Sequence, residues 1–358
     1  MMRKMDLRIN KAAEILVNYS TKIQKNDYVQ IQTELEGKDL ALECYKLCLK
    51  NGAYPTIKIN LPSQNYIYYK NASMEQLKRF PKISYYETKN TDAFIFIRGS
   101  SNTKELTNID SKKIAIRMKT TEKINQHRVD KTKWVVFNYP TNALAQDSEM
   151  SLPEFEDFVY NCVIQDWELM GKKNEKIKNM LDKGKNVHII GKDTDLKFSI
   201  KGRKAINCSG EFNMPDGEVF IAPVENTVEG YIRYDFPAIY NGKEVDDVRL
   251  KFKNGRVIKA EAKKNEDFLK AMINTDKGSH YLGEFGIGTN YKIDKFTKHI
   301  LFDEKIGGTI HLALGMAYKQ GGGRNKSAVH WDMIKDLREN GKVLIDGKVL
   351  EENGKIMV

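Results

Sequence analysis

The sequence lacks long hydrophobic runs, and this absence excludes two classes of protein at the outset. No window approaches 18 consecutive apolar residues, so no membrane-spanning helix is expected. The first twenty residues carry basic side chains but lack the apolar core of a signal peptide. They predict instead an amphipathic helix whose apolar stripe contains Leu7, Ala12, Ile15 and Leu16. A cytoplasmic protein with no membrane partner is therefore the expectation.

Cysteine is scarce, and its spacing matches no common metal-binding motif. Cys44 and Cys48 are four residues apart in a predicted helix, while Cys162 and Cys208 stand alone. No CxxC pair occurs, which favours buried free thiols over a disulfide framework or a zinc ribbon. One alternative stays open, in which Cys44, Cys48 and a further ligand hold zinc.

Motifs for nucleotides and nucleic acids are also missing. No GxGxxG follows the first predicted strand, and GGGRNKS (321–327) lacks the spacing of a P-loop and precedes a strand. The net charge of +11 raises nucleic acid as a partner, but the lysines are spread along the whole chain, often beside acids. A solvated lysine-rich surface explains this charge better, and no nucleic-acid partner is expected.

The two halves of the sequence differ in their pattern. Strands predicted at 28–35, 55–61, 92–100 and 133–140 alternate with helices such as 39–52, which indicates βαβ units. One long helix is predicted over residues 151–184, with Ser151 as N-cap, Glu154 at the capping-box position and Gly184 as C-cap. Short strands dominate the rest.

This change of pattern predicts two domains. Residues 1–185 would form an α/β domain with a parallel sheet, which serves as scaffold and controls access to the site. Residues 186–358 would form a mixed α+β, β-rich catalytic domain.

SAVHWDMI, residues 327–334, predicts a buried strand with two polar residues on one side. Val329, Trp331 and Met333 would share one face, and His330 and Asp332 the other. One interpretation is a structural pair in which the acid holds the imidazole proton. The other is a metal ligand set or a catalytic base, and it requires further ligands elsewhere in the chain.

Acids and histidines in apolar or glycine-rich surroundings supply candidates for those ligands. Glu218 begins an apolar strand, and Glu284 stands between glycines in HYLGEFGIG, where the backbone allows a close approach. IHLALGMAY (310–318) predicts a helix that places His311 and Tyr318 two turns apart on nearly the same face. Together with the strand residues above, this mixture of nitrogen and carboxylate ligands suits zinc, cobalt or manganese. It exceeds the needs of one tetrahedral ion and suits two ions that share a carboxylate.

Four of these segments, GEVFIAP, YLGEFGIG, IHLALGMAY and SAVHWDMI, resemble in sequence and order the signature segments of the M29 family of metallo-aminopeptidases. KWVVFNYPTNALAQ also resembles that family, so the likeness covers most of the chain. The resemblance implies a homodimer and a two-metal centre surrounded by Glu218, Glu284, His311, Tyr318, His330 and Asp332. The segment between Glu284 and His311 is slightly shorter than the family pattern, which leaves Glu304 as either an additional acid or a solvated turn residue.

The resemblance also implies a function. It predicts a metal-dependent aminopeptidase that hydrolyses N-terminal residues from peptides with a free N-terminus, through a water activated by two divalent ions (zinc, cobalt, manganese or magnesium). Glu284 is the predicted bridging carboxylate, Tyr318 a ligand or an oxyanion donor, and Glu304 the third member of the catalytic set. Two alternatives are another metal-dependent amide or ester hydrolase with the same ligands, and a basic binding protein without enzymatic activity.

Overall fold

The chain divides into two units. The computed structural model describes residues 6–240 and 242–358. The first unit contains the described residues up to Gln165 together with Gly210–Pro215, and the second contains Asp166–Ser209 and Asp216–Val358. The boundary expected at residue 185 lies at the end of the helix that opens the second unit.

Helices are concentrated in the first unit. Within the described residues the α-helices are α1 (Leu7–Glu14), α2 (Lys38–Lys50), α3 (Gln64–Asn71), α4 (Met74–Lys78), α5 (Lys82–Lys89), α6 (Ser111–Lys131), α7 (Asn142–Asp147), α8 (Leu152–Val163), α9 (Trp167–Lys183), α10 (Glu266–Ile273) and α11 (Ile300–Asp303). A π-helical turn covers Ile15–Ser20, and 3-10 turns cover Leu35–Gly37, Glu225–Thr227 and Lys319–Gly321. Across the described residues, no helix has the length and apolarity needed to cross a membrane.

Strands occur in both units. They are β1 (Tyr28–Glu34), β2 (Tyr54–Asn60), β3 (Ala93–Arg98), β4 (Lys133–Asn138), β5 (Asn186–Gly191), β6 (Thr194–Ser199), β7 (Ile206–Cys208), β8 (Asn213–Met214), β9 (Glu218–Ile221), β10 (Glu229–Arg233), β11 (Ala238–Tyr240), β12 (Lys243–Val245), β13 (Arg249–Lys253), β14 (Arg256–Glu261), β15 (Leu282–Gly288), β16 (Thr309–Gly315), β17 (His330–Asp336), β18 (Lys342–Ile345), β19 (Lys348–Glu352) and β20 (Lys355–Ile356).

The first unit is built on a parallel sheet. Its strand order is β2-β1-β3-β4-β8, and every neighbouring pair is parallel. Parallel neighbours need a crossover connection, which α2 supplies between β1 and β2. That helix ends just before Gly52, whose φ of +76° is a left-handed conformation that glycine adopts without strain. The predicted α/β architecture of the first half is confirmed.

The long helix predicted over residues 151–184 is two helices. Ser151 does cap α8 in a capping box with Glu154, as predicted, and Gly184 is the C-cap of α9. The chain leaves the helical conformation at Ile164, and the Asp166 side chain then accepts a hydrogen bond from the Leu169 backbone N–H at 2.8 Å. Asp166 is therefore the N-cap of a second helix, α9. The single helix that the apolar pattern predicted is interrupted at this point.

The second unit is β-rich, as predicted, and contains two large antiparallel sheets. One has eight strands in the order β14-β13-β10-β6-β5-β18-β19-β20, and the other has five in the order β17-β16-β15-β9-β7. Both sheets contribute to one hydrophobic core, where for example the rings of Phe198 and Phe285 meet edge to face at 5.3 Å. This antiparallel five-stranded sheet therefore packs one of its two faces against the core.

The prediction of a helix over residues 310–318 is wrong, because residues 309–315 form strand β16. Ile310, Leu312 and Leu314 point into the core. His311, Ala313 and Gly315 lie on the other face. All seven residues of the strand are buried. An apolar segment covered on both faces loses the visible alternation that identifies a strand, so its periodicity could not separate strand from helix.

Candidate metal centre

The predicted polar residues lie on the face of the antiparallel five-stranded sheet that points away from the core. Side chains directly across antiparallel strands point to the same side. Ala313 lies opposite both Glu284 and Asp332, and Gly315 lies opposite His330. One strand further along, Gly288 pairs with Glu218, while Gly286 pairs with both Phe220 and His311. Each candidate ligand on these strands thus faces a glycine or an alanine on a neighbouring strand.

Gly286 provides the space for one imidazole. A Cβ added there would lie 2.0 Å from Cε1 and 2.1 Å from Nε2 of His311. The ring therefore lies directly over the backbone of β15, a position that any larger residue would block.

Gly286→Ala is accordingly expected to lower peptidase activity by about a hundredfold, since a displacement of roughly 1 Å at a reacting site has that effect. Steady-state rates and bound metal per chain would measure it. Gly99→Ala is a control, because its Cβ would meet nothing closer than 3.4 Å, and its activity should match the wild type. Equal rates for the two variants would contradict the placement of His311.

His311 is held by a backbone carbonyl and directed at two carboxylates. Its Nδ1 is 3.0 Å from the backbone oxygen of Glu304, so Nδ1 carries the proton it donates. Nε2 then lies 3.1 Å from Oε1 of Glu284 and 3.3 Å from Oε2 of Glu218. Burial lowers the pKa of His311, but the hydrogen bond to Glu284 and the charge of Glu218 outweigh it and raise that pKa to about 10. A carbonyl behind Nδ1, with Nε2 directed at carboxylates, is the usual arrangement of a metal-binding histidine.

His330 repeats this arrangement on β17. Its Nδ1 is 2.8 Å from the backbone oxygen of Met316, and its Nε2 is 3.4 Å from Oδ2 of Asp332 and 3.9 Å from Oε2 of Glu284. The carbonyl, rather than Asp332, takes the Nδ1 proton. Burial lowers the pKa of His330, while the charges of Asp332 and Glu284 raise it above its usual value. The predicted strand and its two faces are confirmed, and the contacts do not form a simple His–Asp pair.

Glu284 lies between the two histidines. Its Oε1 faces His311 and its Oε2 faces His330, so it belongs to two sets of possible metal ligands. Ligand atoms within 4.8 Å of one another form the sets Glu218–Glu284–His311 and Glu284–His330–Asp332. One carboxylate oxygen on each acid, Glu218 Oε2, Glu284 Oε2 and Asp332 Oδ1, is buried with no hydrogen-bond partner among the described residues. Buried acceptors without donors are satisfied by cations, so these residues fit bound metal ions.

A buried lysine that the sequence interpretation missed completes the cluster. The side chain of Lys305 is fully buried, with Nζ 3.4 Å from Oε1 of Glu218 and in an ion pair with Oε1 of Glu304. Burial alone would lower the pKa of Lys305, but the two carboxylates raise it well above its usual value. Burial also raises the pKa of Glu218, to about 8, against the opposing effect of Lys305. In the sequence, Lys305 next to Glu304 looks like the many solvated lysine–acid neighbours, so no local signal marked it.

Tyr318 is the most exposed of the six predicted residues, at 41%. It follows β16 in a turn instead of lying on a helix with His311. Its ring centroid is 5.1 Å from the His330 ring and 5.7 Å from the Phe220 ring. Burial of its hydroxyl end, reinforced by the charge of Glu284, raises the pKa of Tyr318. The hydroxyl is therefore a hydrogen-bond donor at neutral pH.

One cysteine lies beside two acids of this region, and two others lie in the first unit. Cys208 lies near Asp216 and Glu218 in a third geometrically possible set, but burial raises the pKa of its thiol well above the usual value. Cys44 and Cys48 are buried free thiols on α2, in the first unit.

Cys44→Ser and Cys48→Ser are therefore expected to keep the full metal content and nearly full peptidase activity. A buried hydroxyl in place of a thiol lowers stability by about 1–3 kcal/mol, without touching the acids and histidines of the second unit. Elemental analysis of both purified variants checks this, and metal loss from either would favour zinc on the cysteines.

Comparison with known proteins agrees with this chemistry. The family model for thermophilic metalloprotease (M29) matches residues 5–354. The chain is 28% identical to aminopeptidase AmpS of Bacillus subtilis over 396 aligned residues, which cover 95% of this chain and 96% of that protein. The solved structure of wild-type AmpT from Thermus thermophilus superposes with a TM-score of 0.85 at 22% identity, covering 98% of this chain and 99% of that one.

The fold alone does not determine the reaction. A 2,5-dihydroxypyridine dioxygenase from Pseudomonas putida KT2440 shares the fold at a TM-score of 0.63 with 12% identity, over 99% of both chains. The assignment depends instead on the family model, which spans nearly the whole sequence, and on a relative of matching length. The chain therefore belongs to the M29 family of metalloproteases and is a metal-dependent aminopeptidase.

Proposed function

We propose that the enzyme removes N-terminal residues from peptides with two divalent ions held on the face of the antiparallel five-stranded sheet opposite the core. The position of Glu284 between His311 and His330 carries this proposal. One ion would be held by Glu218, Glu284 and His311, and the other by Glu284, His330 and Asp332. Mixed imidazole and carboxylate ligands suit zinc, cobalt or manganese, and magnesium is a weaker fit. When bound, two such ions supply an activated water and polarise the scissile carbonyl.

The side chains orient and neutralise what binds there. The carbonyls behind His311 and His330 fix both rings with Nε2 toward the acids, so no tautomer change is needed during the reaction. Glu284 provides negative charge to both halves of the centre. Tyr318 offers a protonated hydroxyl beside His330 that either ligates or donates to the developing oxyanion. Glu304 forms an ion pair with Lys305, so within the catalytic set predicted from the sequence we assign it an orienting role.

Restriction to the peptide terminus follows from charge. The substrate carries a positive α-amine, and the centre offers carboxylates that attract it. A peptide with an acetylated terminus lacks that charge and places an extra group where the amine would lie. We further expect the homodimer, the cytoplasmic location and the lack of a nucleic-acid partner that were predicted from the sequence.

The test is amino-acid release from a free-amine peptide by metal-reconstituted enzyme, with the acetylated peptide as the matched control. Release should require metal, stop on chelation, and fall at least a hundredfold for the blocked peptide. Equal hydrolysis of both peptides would favour the alternative of a general amide hydrolase. Two metal ions per chain should be found by elemental analysis.

A further inference from the structure

Lys305 brings a permanent positive charge to one side of the centre. It is 0% exposed, and its ammonium lies between Oε1 of Glu218 and Oε1 of Glu304. The backbone holds it there, because the Asn290 N–H donates to the Lys305 carbonyl at 3.0 Å. Gly288 permits this approach, since an added Cβ would lie 2.1 Å from the carbonyl oxygen of Ile306. The ammonium is thus a fixed part of the fold.

The two oxygens of the Glu218 carboxylate have different neighbours. Oε1 faces Lys305, while Oε2 lies 3.3 Å from Nε2 of His311 with no hydrogen-bond partner in the described part of the chain. Glu218 therefore has one oxygen free for an ion, and the charge of that carboxylate is shared with a lysine. An ion bound through Oε2 would have the Lys305 ammonium close behind its ligand.

The other half of the centre has no such cation. Within residues 6–240 and 242–358, the ion pairs of Glu284 and Asp332 are with histidines, and none is with a lysine or arginine. The set completed by His330 and Asp332 thus has a negative charge that no ion pair with a lysine or arginine offsets among the described residues. The two sets share Glu284, and the Glu218 side differs in having Lys305 beside it, together with the Glu304 carboxylate that is paired with that lysine.

We propose that Lys305 makes the two metal sites unequal and imposes an order of binding. This inference rests on the two-ion centre proposed above. The first ion binds at Glu284–His330–Asp332, and the second binds more weakly at Glu218–Glu284–His311, against the repulsion of the buried ammonium. Lys305 is then a positioning residue that keeps the second ion exchangeable, so the metal supply regulates the active fraction of the enzyme.

Calorimetric titration of cobalt(II) chloride into the metal-free full chain tests this order. The wild type should show two steps whose dissociation constants differ by about tenfold or more. Lys305→Met removes the charge but keeps the chain length, and should tighten the second step about tenfold while leaving the first within about threefold. An unchanged first step also shows that the variant is folded, because that step requires β15 and β17 in register.

Glu304→Gln provides the opposite perturbation. It removes the carboxylate that neutralises Lys305 and should weaken the second step about threefold or more, again sparing the first. A purely structural effect would weaken binding in both variants. Opposite signs therefore support the role of charge, and weakening of the second step in both variants would overturn it.

Lys335→Met is the matched control. Lys335 is also a buried lysine of the second unit, with Nζ 2.7 Å from Oδ2 of Asp235, outside the ligand cluster. Its substitution should leave the separation of the two steps unchanged, and a change as large as that of Lys305→Met would overturn the inference. A single wild-type step with one ion per chain would reject the two-ion centre itself. Two steps unaffected by Lys305→Met would reject only the role of Lys305.

Discussion

Glu284→Gln is expected to release both metal ions and to lower kcat/KM by about a thousandfold or more. The loss should exceed the roughly 10–100-fold change that follows removal of a hydrogen-bond partner behind a ligand. Its reason is geometric, because Oε1 and Oε2 of Glu284 face two different histidines. Removing this one charge leaves each set with fewer negative ligands and leaves the repulsion between two cations less compensated.

Tyr318→Phe is the comparison for that experiment. It removes one hydroxyl from a residue that is 41% exposed and leaves both acid–histidine sets intact. Bound metal should stay near the wild-type level, while kcat falls by about 10²–10³-fold if the hydroxyl stabilises the oxyanion. Elemental analysis and initial rates on both variants separate the two roles. Equal metal loss in both would contradict the bridging position of Glu284.

His330→Ala and Asp332→Asn are each expected to abolish peptidase activity without unfolding the protein. Their side chains lie on the face opposite Trp331 and Met333, which pack in the core. Removing either one therefore leaves the packing of β17 intact. In chelator, Asp332→Asn should be at least as stable as the wild type, since it removes one of several buried negative charges that no ion then neutralises.

Melting temperatures with and without chelator separate this expectation from a structural role. Ions that bind only the native state stabilise it by about 2.7 kcal/mol at a concentration one hundred times their dissociation constant. Chelation should thus lower the melting temperature of the wild type and have much less effect on either variant. A structural His–Asp pair predicts the reverse, namely a loss of about 1–3 kcal/mol in the variants even in chelator. Variants that melt early yet still bind metal and cleave peptides would show that the pair is structural.

The sequence was informative where one face of an element is apolar and the other is not. SAVHWDMI alternates visibly, and both its strand and its two faces were predicted. IHLALGMAY does not alternate visibly. The positions after His311 that face the centre are Ala313 and Gly315, which are as apolar as the core positions. The strand was therefore taken for a helix even though His311 itself was identified as a candidate ligand.

Two other differences also have physical causes. The break between α8 and α9 depends on an aspartate cap at Asp166, a signal that a continuous apolar pattern concealed. Lys305 could not be identified from its neighbours, because its burial results from strands and turns far apart in the sequence. Charge next to charge usually means solvent, and only the three-dimensional arrangement shows that here it does not.

The small residues opposite each ligand limit how this sheet can be altered or copied. Gly286, Gly288, Ala313 and Gly315 bind nothing themselves, yet each faces a residue of the centre across one hydrogen-bonded register. Grafting the acids and histidines onto another antiparallel sheet would fail unless these partners moved with them. A one-residue slip of β16 would turn His311 into the core and leucines toward the centre. The centre thus depends on a register of paired positions, and about half of these positions are occupied by residues whose side chains carry no ligand atom.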